Sequence, residues 1–145
     1  MDGSAPETET RIPPHDLDAE AAVLSALFLA PEQVGLGALE PEHFYSDANG
    51  WIYRAIRAVG ADIVLVVHWL RNAQRLGQVG GQAYVAQVVD ATPCVANAQA
   101  HGAVIKQCWR RRVLIRSLQQ VTAELYSGVT TPEAAWARVK EACET

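Results

Sequence analysis

The sequence predicts an all-α protein, a compact multi-helix globular head followed by a C-terminal antiparallel helical hairpin. Three observations carry that prediction. Apolar residues recur at three- and four-residue steps, prolines and glycines cut the chain up to residue 94 into short helix-sized pieces, and residues 95–126 then read as one long element. Half of the 145 residues are hydrophobic and 19% are charged, a balance that builds a core without metal or disulfides.

Residues 1–11 read as a disordered tail, polar and acidic with almost nothing to bury. Ile12-Pro13-Pro14-His15 follows as an extended lead-in, because each proline holds its predecessor out of the helical region. Asp16, Asp18 and Glu20 place carboxylates at the positive end of a first helix, on which Leu17, Ala21, Leu24 and Phe28 share a face. Pro31 ends it and opens a short second helix to residue 39, which Pro41 breaks. A further helix over 46–59 turns Ile52, Ala55, Ile56 and Val59 inward and stops at Gly60. Asp62 caps the next, over 63–75. Its opening IVLVV run has strand propensity, but HWLRNAQRL continues it only as a helix. Gly77, Gly80 and Gly81 mark a loop before a short helix over 82–89, and Thr92-Pro93 marks a break. After the long helix, Thr131-Pro132 supplies a cap and a first-turn proline for a last helix over 132–144, with Trp136 and Val139 on one face. The chain thus divides into a head over 12–94 and a hairpin over 95–145, within one domain over 12–145.

On the long helix, Val104, Ile115, Leu118, Thr122 and Leu125 cluster on one side, and Leu114 and Val121 extend it. Trp109 and Val113 lie nearly opposite. A helix apolar on two sides needs partners on two sides. Periodicity alone fits a central helix of a monomeric bundle equally well, while a hairpin placed after a set of short helices favours an oligomer contact. Leu114, Leu118, Val121, Leu125, Trp136 and Val139 are the expected pairing surface and its support.

The absences narrow the chemistry. The two lysines, Lys106 and Lys140, follow no GxxxxGK[ST] phosphate loop, and there is neither an HExxH pair nor a GxSxG elbow. The chain is therefore expected to be no enzyme and to carry no cofactor or metal. Cys94, Cys108 and Cys143 are irregularly spaced and odd in number, which predicts buried, reduced thiols. A Cys94 or Cys108 pairing with His101 is explained as easily by packing. No apolar run spans a bilayer, and the acidic start is unlike a signal peptide, so a soluble cytoplasmic protein is expected. A net charge of −4 argues against direct DNA binding. Lys106, Arg110, Arg112 and Arg116 surround Trp109 as a candidate basic contact, but their helical positions scatter around the circumference.

Several strings, in order, resemble the N-terminal domain of bacterial DnaB-type replicative helicases over about 11–126. They are Pro13-Pro14-His15 with Leu17, Ala19-Glu20 and Val23-Leu24, then Phe44-Tyr45 with Ile52-Tyr53 and Ala55-Ile56. Val79-Gly80-Gly81, Tyr84-Val85, Ala91-Thr92-Pro93, Ala96-Asn97, Arg111-Arg112 and Leu114-Ile115 complete the series. Departures are Ser25-Ala26 where that family has two glycines, Asn49 for a usual His and His101 for a common Tyr. A shortened loop also precedes residue 63, and the Val64–Val67 run replaces a more polar start. The resemblance implies self-association through hairpins as a dimer, and as a trimer of dimers forming the collar of a full-length hexamer. It also implies docking of primase, with a helicase loader as a further partner. Two rival readings are a stand-alone collar-like regulator of helicase or primase, and a DNA-binding helical module.

Overall fold

The computed structural model describes residues 11–35, 39–91 and 95–144. The expected tail, the break at Thr92-Pro93 and Cys94 fall outside them, apart from Arg11. Seven α-helices make up the described fold: α1 (Leu17–Leu29), α2 (Asp47–Val59), α3 (Ile63–Asn72), α4 (Leu76–Val79), α5 (Gly81–Val89), α6 (Ala98–Ser127) and α7 (Pro132–Glu144). Short 3-10 turns occupy Pro41–His43 and Val95–Asn97. The chain forms two compact units, one of residues 15–110 and one of residues 111–144 with 11–14. The division falls inside α6, some way beyond residue 95.

In the first unit, α2 packs on α1, α3 and α4, and α5 packs on α1, α3 and α4. The core joins Val23, Leu24 and Leu27 of α1 to Ile52, Tyr53 and Ile56 of α2, Val66 and Leu70 of α3, Val85 and Val88 of α5, and Ile105 of α6. Local chemistry sets the helix starts. Asp16 accepts from the Ala19 N–H at 2.9 Å, Ser46 from Asn49 at 3.2 Å, and Asp62 from Val64 and Leu65 at 2.9 and 3.1 Å. These bonds satisfy amides that have no partner within their own helix. The IVLVV run is helical, as HWLRNAQRL requires.

Three expectations fail here, each for a local reason. The buried face of α1 is only partly the expected Leu17, Ala21, Leu24 and Phe28, since Leu24 is in the core and Phe28 packs against it. Leu17 is 47% exposed, and Ala19, Glu20, Val23, Leu24, Ala26 and Leu27 are buried. Nearly every residue of this helix is apolar, so spacing alone selects no side. No helix forms over residues 31–34, which make a turn, and the expected span 31–39 also runs partly outside the described residues. The glycine loop holds the single-turn helix α4, which ends at Gly80 with φ 112°. A β-carbon on Gly80 would sit 2.9 Å from Tyr84 Cβ, so glycine is required by conformation and by space together.

Glu20, read from sequence as a helix-start charge, is 1% exposed and ties α1 to the start of α2. Its carboxylate accepts from the Tyr45 and Ser46 backbone N–H groups at 2.7 and 3.3 Å, and from the Asn49 side-chain amide at 3.0 Å. The positive end of the α2 dipole adds to its stability there. Asn49 in turn accepts from the Tyr84 hydroxyl at 2.7 Å, which links α5 to the same network. Burial, and secondarily the Glu20 charge, raises the Tyr84 pKa and keeps this hydroxyl a donor. Two departures from the family pattern are therefore occupied positions. Asn49 bridges Glu20 to Tyr84. The buried Ser25 hydroxyl lies 3.1 and 2.9 Å from the Val89 and Ala91 carbonyls, and donates its one proton to the end of α5.

In the second unit, the end of α6 and α7 run antiparallel. Gly128, at φ 78°, ends α6, with the Gly128 N–H donating to Leu125 O at 3.3 Å and the Val129 N–H to Glu124 O at 3.2 Å. Thr131 accepts from the Ala134 N–H at 3.1 Å and Pro132 opens α7, as expected. The Arg112 guanidinium, 8% exposed, donates to the Pro14 carbonyl at 2.8 Å.

Glu20→Ala would take the acceptor from the buried Asn49 amide and from the part-buried Tyr45 and Ser46 N–H groups, at up to about 1–3 kcal/mol for each group left unsatisfied. Urea unfolding should show a loss of about 3 kcal/mol or more, against about 1 kcal/mol for Tyr84→Phe. Equal, small losses for both would remove Glu20 from this role.

Candidate interaction surface

Apolar side chains meet solvent in both units, Leu29, Val64 and Leu65 among them in the first, but in the hairpin they fall in a line. Val121 is 5% exposed on α6, and Ala135 is 4% exposed on α7. Around them Val113, Leu114, Ser117 and Glu124 on α6, and Val139 and Ala142 on α7, are half-buried. Glu124 receives hydrogen bonds from Arg138 and, at 2.7 Å, from Gln120, clamping one helix to the other. Arg138 first, then Gln120, holds the Glu124 carboxyl below its ordinary pKa.

A second face of α6 is left partly exposed among the described residues. Ile115 is 41% exposed, Leu118 40% and Leu125 45%, with Thr122 also exposed between them. Their steps of three, four and three make a straight seam along a helix, the spacing by which one helix packs lengthwise on another. Tyr126 and Val129 extend the apolar surface at the hairpin turn, at 90% and 73% exposed. Ile115, Leu118, Gln119, Thr122 and Ala123 line a shallow depression along this seam.

The six expected pairing residues are divided by the structure. Leu118 and Leu125 lie on the open seam, Val121 is buried in the hairpin, and Leu114 and Val139 are half-buried beside it. Trp136 is not on the Val139 face; it is 68% exposed, while Ala135, Val139 and Ala142 turn inward. Ile115 and Thr122 were left out of the expected surface, although the even three-four spacing marks them. Trp109, expected to need an outside partner, is half-buried with its ring 4.4 Å from that of the buried His43.

The basic candidates are likewise dispersed. Arg112 is buried on Pro14, so it offers no surface charge, whereas Lys106, Arg110 and Arg116 are exposed. Lys106 lines an apolar cleft of about 310 Å³ with Val23, Leu27, Leu39 and Tyr53. Cys108 is half-buried and Cys143 exposed, both as free thiols, so burial does not extend to all the cysteines. Among the described residues no three His, Cys, Asp or Glu side chains converge as a metal site, and no helix is long and apolar enough to cross a membrane.

A head of short helices with a buried polar tie, followed by a hairpin bearing an exposed apolar seam, defines an all-helical domain with a candidate interaction surface. Comparison with known proteins makes the class specific. The model of the DnaB-like helicase N terminal domain matches residues 12–107, and the chain belongs to that family. The replicative DNA helicase DnaB of Treponema pallidum is 33% identical over 134 residues, covering 88% of this chain and 31% of that protein. The replicative DNA helicase DnaC of Bacillus subtilis is 32% identical over 124 residues, covering 81% and 27%. The chain thus spans less than a third of the length of these relatives. The crystal structure of the N-terminal domain of DnaB helicase from Mycobacterium tuberculosis superposes with a TM-score of 0.80 at 28% identity, covering 92% of this chain and 100% of that one.

The Glu124 clamp has a defined pH signature. A carboxyl whose folded pKa is depressed stabilises above its unfolded value and loses that contribution as pH falls through the folded one. Helicity melts followed from pH 7 down past the ordinary value of 4.5 should lose a small increment that Glu124→Gln lacks at every pH. Superimposable acid profiles for the two proteins would show that the clamp contributes nothing.

Proposed function

We propose that this chain is the non-catalytic assembly and docking domain of a replicative DNA helicase. Its hairpin pairs with that of a second subunit, pairs of subunits build the collar of a hexamer, and the collar docks primase. The observation that carries the reading is the seam Ile115, Leu118, Thr122 and Leu125, exposed apolar surface at helix-packing spacing among the described residues. Burying a Leu or Ile side chain fully is worth about 1.5–3 kcal/mol, so a mutual contact along the seam has a substantial driving force. Family membership supports the setting, since the relatives are replicative DNA helicases. A helicase loader is a further partner of the same kind.

Hydrogen exchange tests the pairing. Amides over 114–126 should exchange more slowly as protein concentration rises, while those of α3 should not change. Leu118→Ala should abolish the concentration dependence, since truncating a well-packed Leu costs about 2–5 kcal/mol. Exchange independent of concentration throughout would defeat the pairing. Calorimetric titration with a purified bacterial primase tests the docking separately, where saturable binding is expected and no heat at high concentration would exclude it.

A further inference from the structure

The chain is acidic overall, but its charge is unevenly laid out. Residues 48–89 hold four arginines (Arg54, Arg57, Arg71 and Arg75) and a single acid, Asp62, whose carboxylate caps α3. This stretch is net positive within a chain of net charge −4, as is the Lys106–Arg116 part of α6. All four arginines are exposed.

Two of them are held by the same tryptophan. The Arg54 guanidinium carbon lies 4.8 Å from the centre of the Trp51 ring, and that of Arg75 lies 4.9 Å from it. Two groups on one ring stand within about 10 Å of each other. Trp69 lies beside Trp51 at 6.4 Å between ring centres, tilted by 40°. Among the described residues neither arginine has a carboxylate within ion-pair distance, whereas Arg57 is paired with Glu40 at 2.8 Å. The backbone before Arg75 is unusual as well. Gln74 adopts φ 61°, a left-handed conformation that normally falls to glycine, and the Arg75 N–H then reaches back to the Leu70 carbonyl at 2.9 Å. A strained residue and an indole thus hold a surface arginine that has no internal ion-pair partner.

We propose that Arg54, Arg75 and Trp51 form a contact site for single-stranded DNA, apart from the hairpin and from the basic residues of α6. A guanidinium fixed beside an aromatic ring keeps N–H groups for a phosphate, while the outer face of its plane offers stacking surface to a base. An acidic peptide would use the N–H groups alone, which is why the aromatic setting favours nucleic acid. Two phosphate contacts make the site weak and steeply responsive to salt at low ionic strength. The overall charge of the chain argued against DNA binding because it averages this patch with the acidic remainder.

Fluorescence anisotropy of a labelled dT20 oligonucleotide, titrated with the chain between 20 and 200 mM NaCl, tests the site. The expected result is weak saturable binding with a log–log salt slope of about −1.4, the value for two phosphate contacts on a single strand. Arg54→Ala with Arg75→Ala should lower affinity about tenfold or more, whereas Arg110→Ala with Arg116→Ala should leave it unchanged. Should the alanine pair lose helicity, Arg54→Lys with Arg75→Lys keeps the charge without the flat plane, and a several-fold loss at an unchanged slope is expected. Three outcomes overturn the proposal: no binding of dT20 at low salt, binding indifferent to the Arg54 and Arg75 variants, or tight binding of a poly-glutamate peptide in its place.

Discussion

The long helix carries apolar residues on more of its circumference than one neighbouring helix covers. α7 offers only the modest side chains Ala135, Val139 and Ala142 toward it, and these close over Val121 and its half-buried neighbours. The seam through Ile115, Leu118 and Leu125 then stays exposed among the described residues. Apolar area left in water is free energy available to association, and the regular spacing gives that association a direction. The Arg138–Glu124 contact joins the two helices of the hairpin through residues outside the seam.

The head solves a different problem, that of orienting short helices which are individually too brief to be stable alone. A buried carboxylate with three donors does much of this. Glu20 fixes where α1 meets α2, Asn49 passes the connection to Tyr84, and Ser25 secures the end of α5 from the α1 side. Because each polar group in the network has a partner, its burial specifies one arrangement of helices at little net cost. Two of the positions at which this sequence departs from the family pattern, Ser25 and Asn49, are accommodated through hydrogen bonds of their own.

Much of the fold was legible because helix ends are written in local chemistry. Asp16, Ser46, Asp62 and Thr131 cap within three residues of themselves, and Gly60 and Pro132 act on the backbone next to them. The inward face of α1 was not legible, since almost every position on it is apolar and the deciding residue is a glutamate whose acceptors' donors lie some 25 residues away. The outward turn of Trp136 was equally hidden, because only the packing of Ala135 against α6 rotates it. The seam lay in between. Its residues were grouped correctly by helical angle, but spacing cannot tell which of two apolar faces the hairpin itself will close. The pairing of Arg54 and Arg75 on Trp51 joins α2 to the residue before α4, a contact that neither segment shows alone.

Sedimentation equilibrium over a wide concentration range tests the central claim most directly, run on the chain and on a Leu118→Glu, Leu125→Glu variant. A reversible monomer–dimer equilibrium with a dissociation constant on the order of micromolar is expected, with the variant monomeric and equally helical. A chain that stays monomeric at every concentration, or a dimer untouched by two glutamates on the seam, would contradict the account.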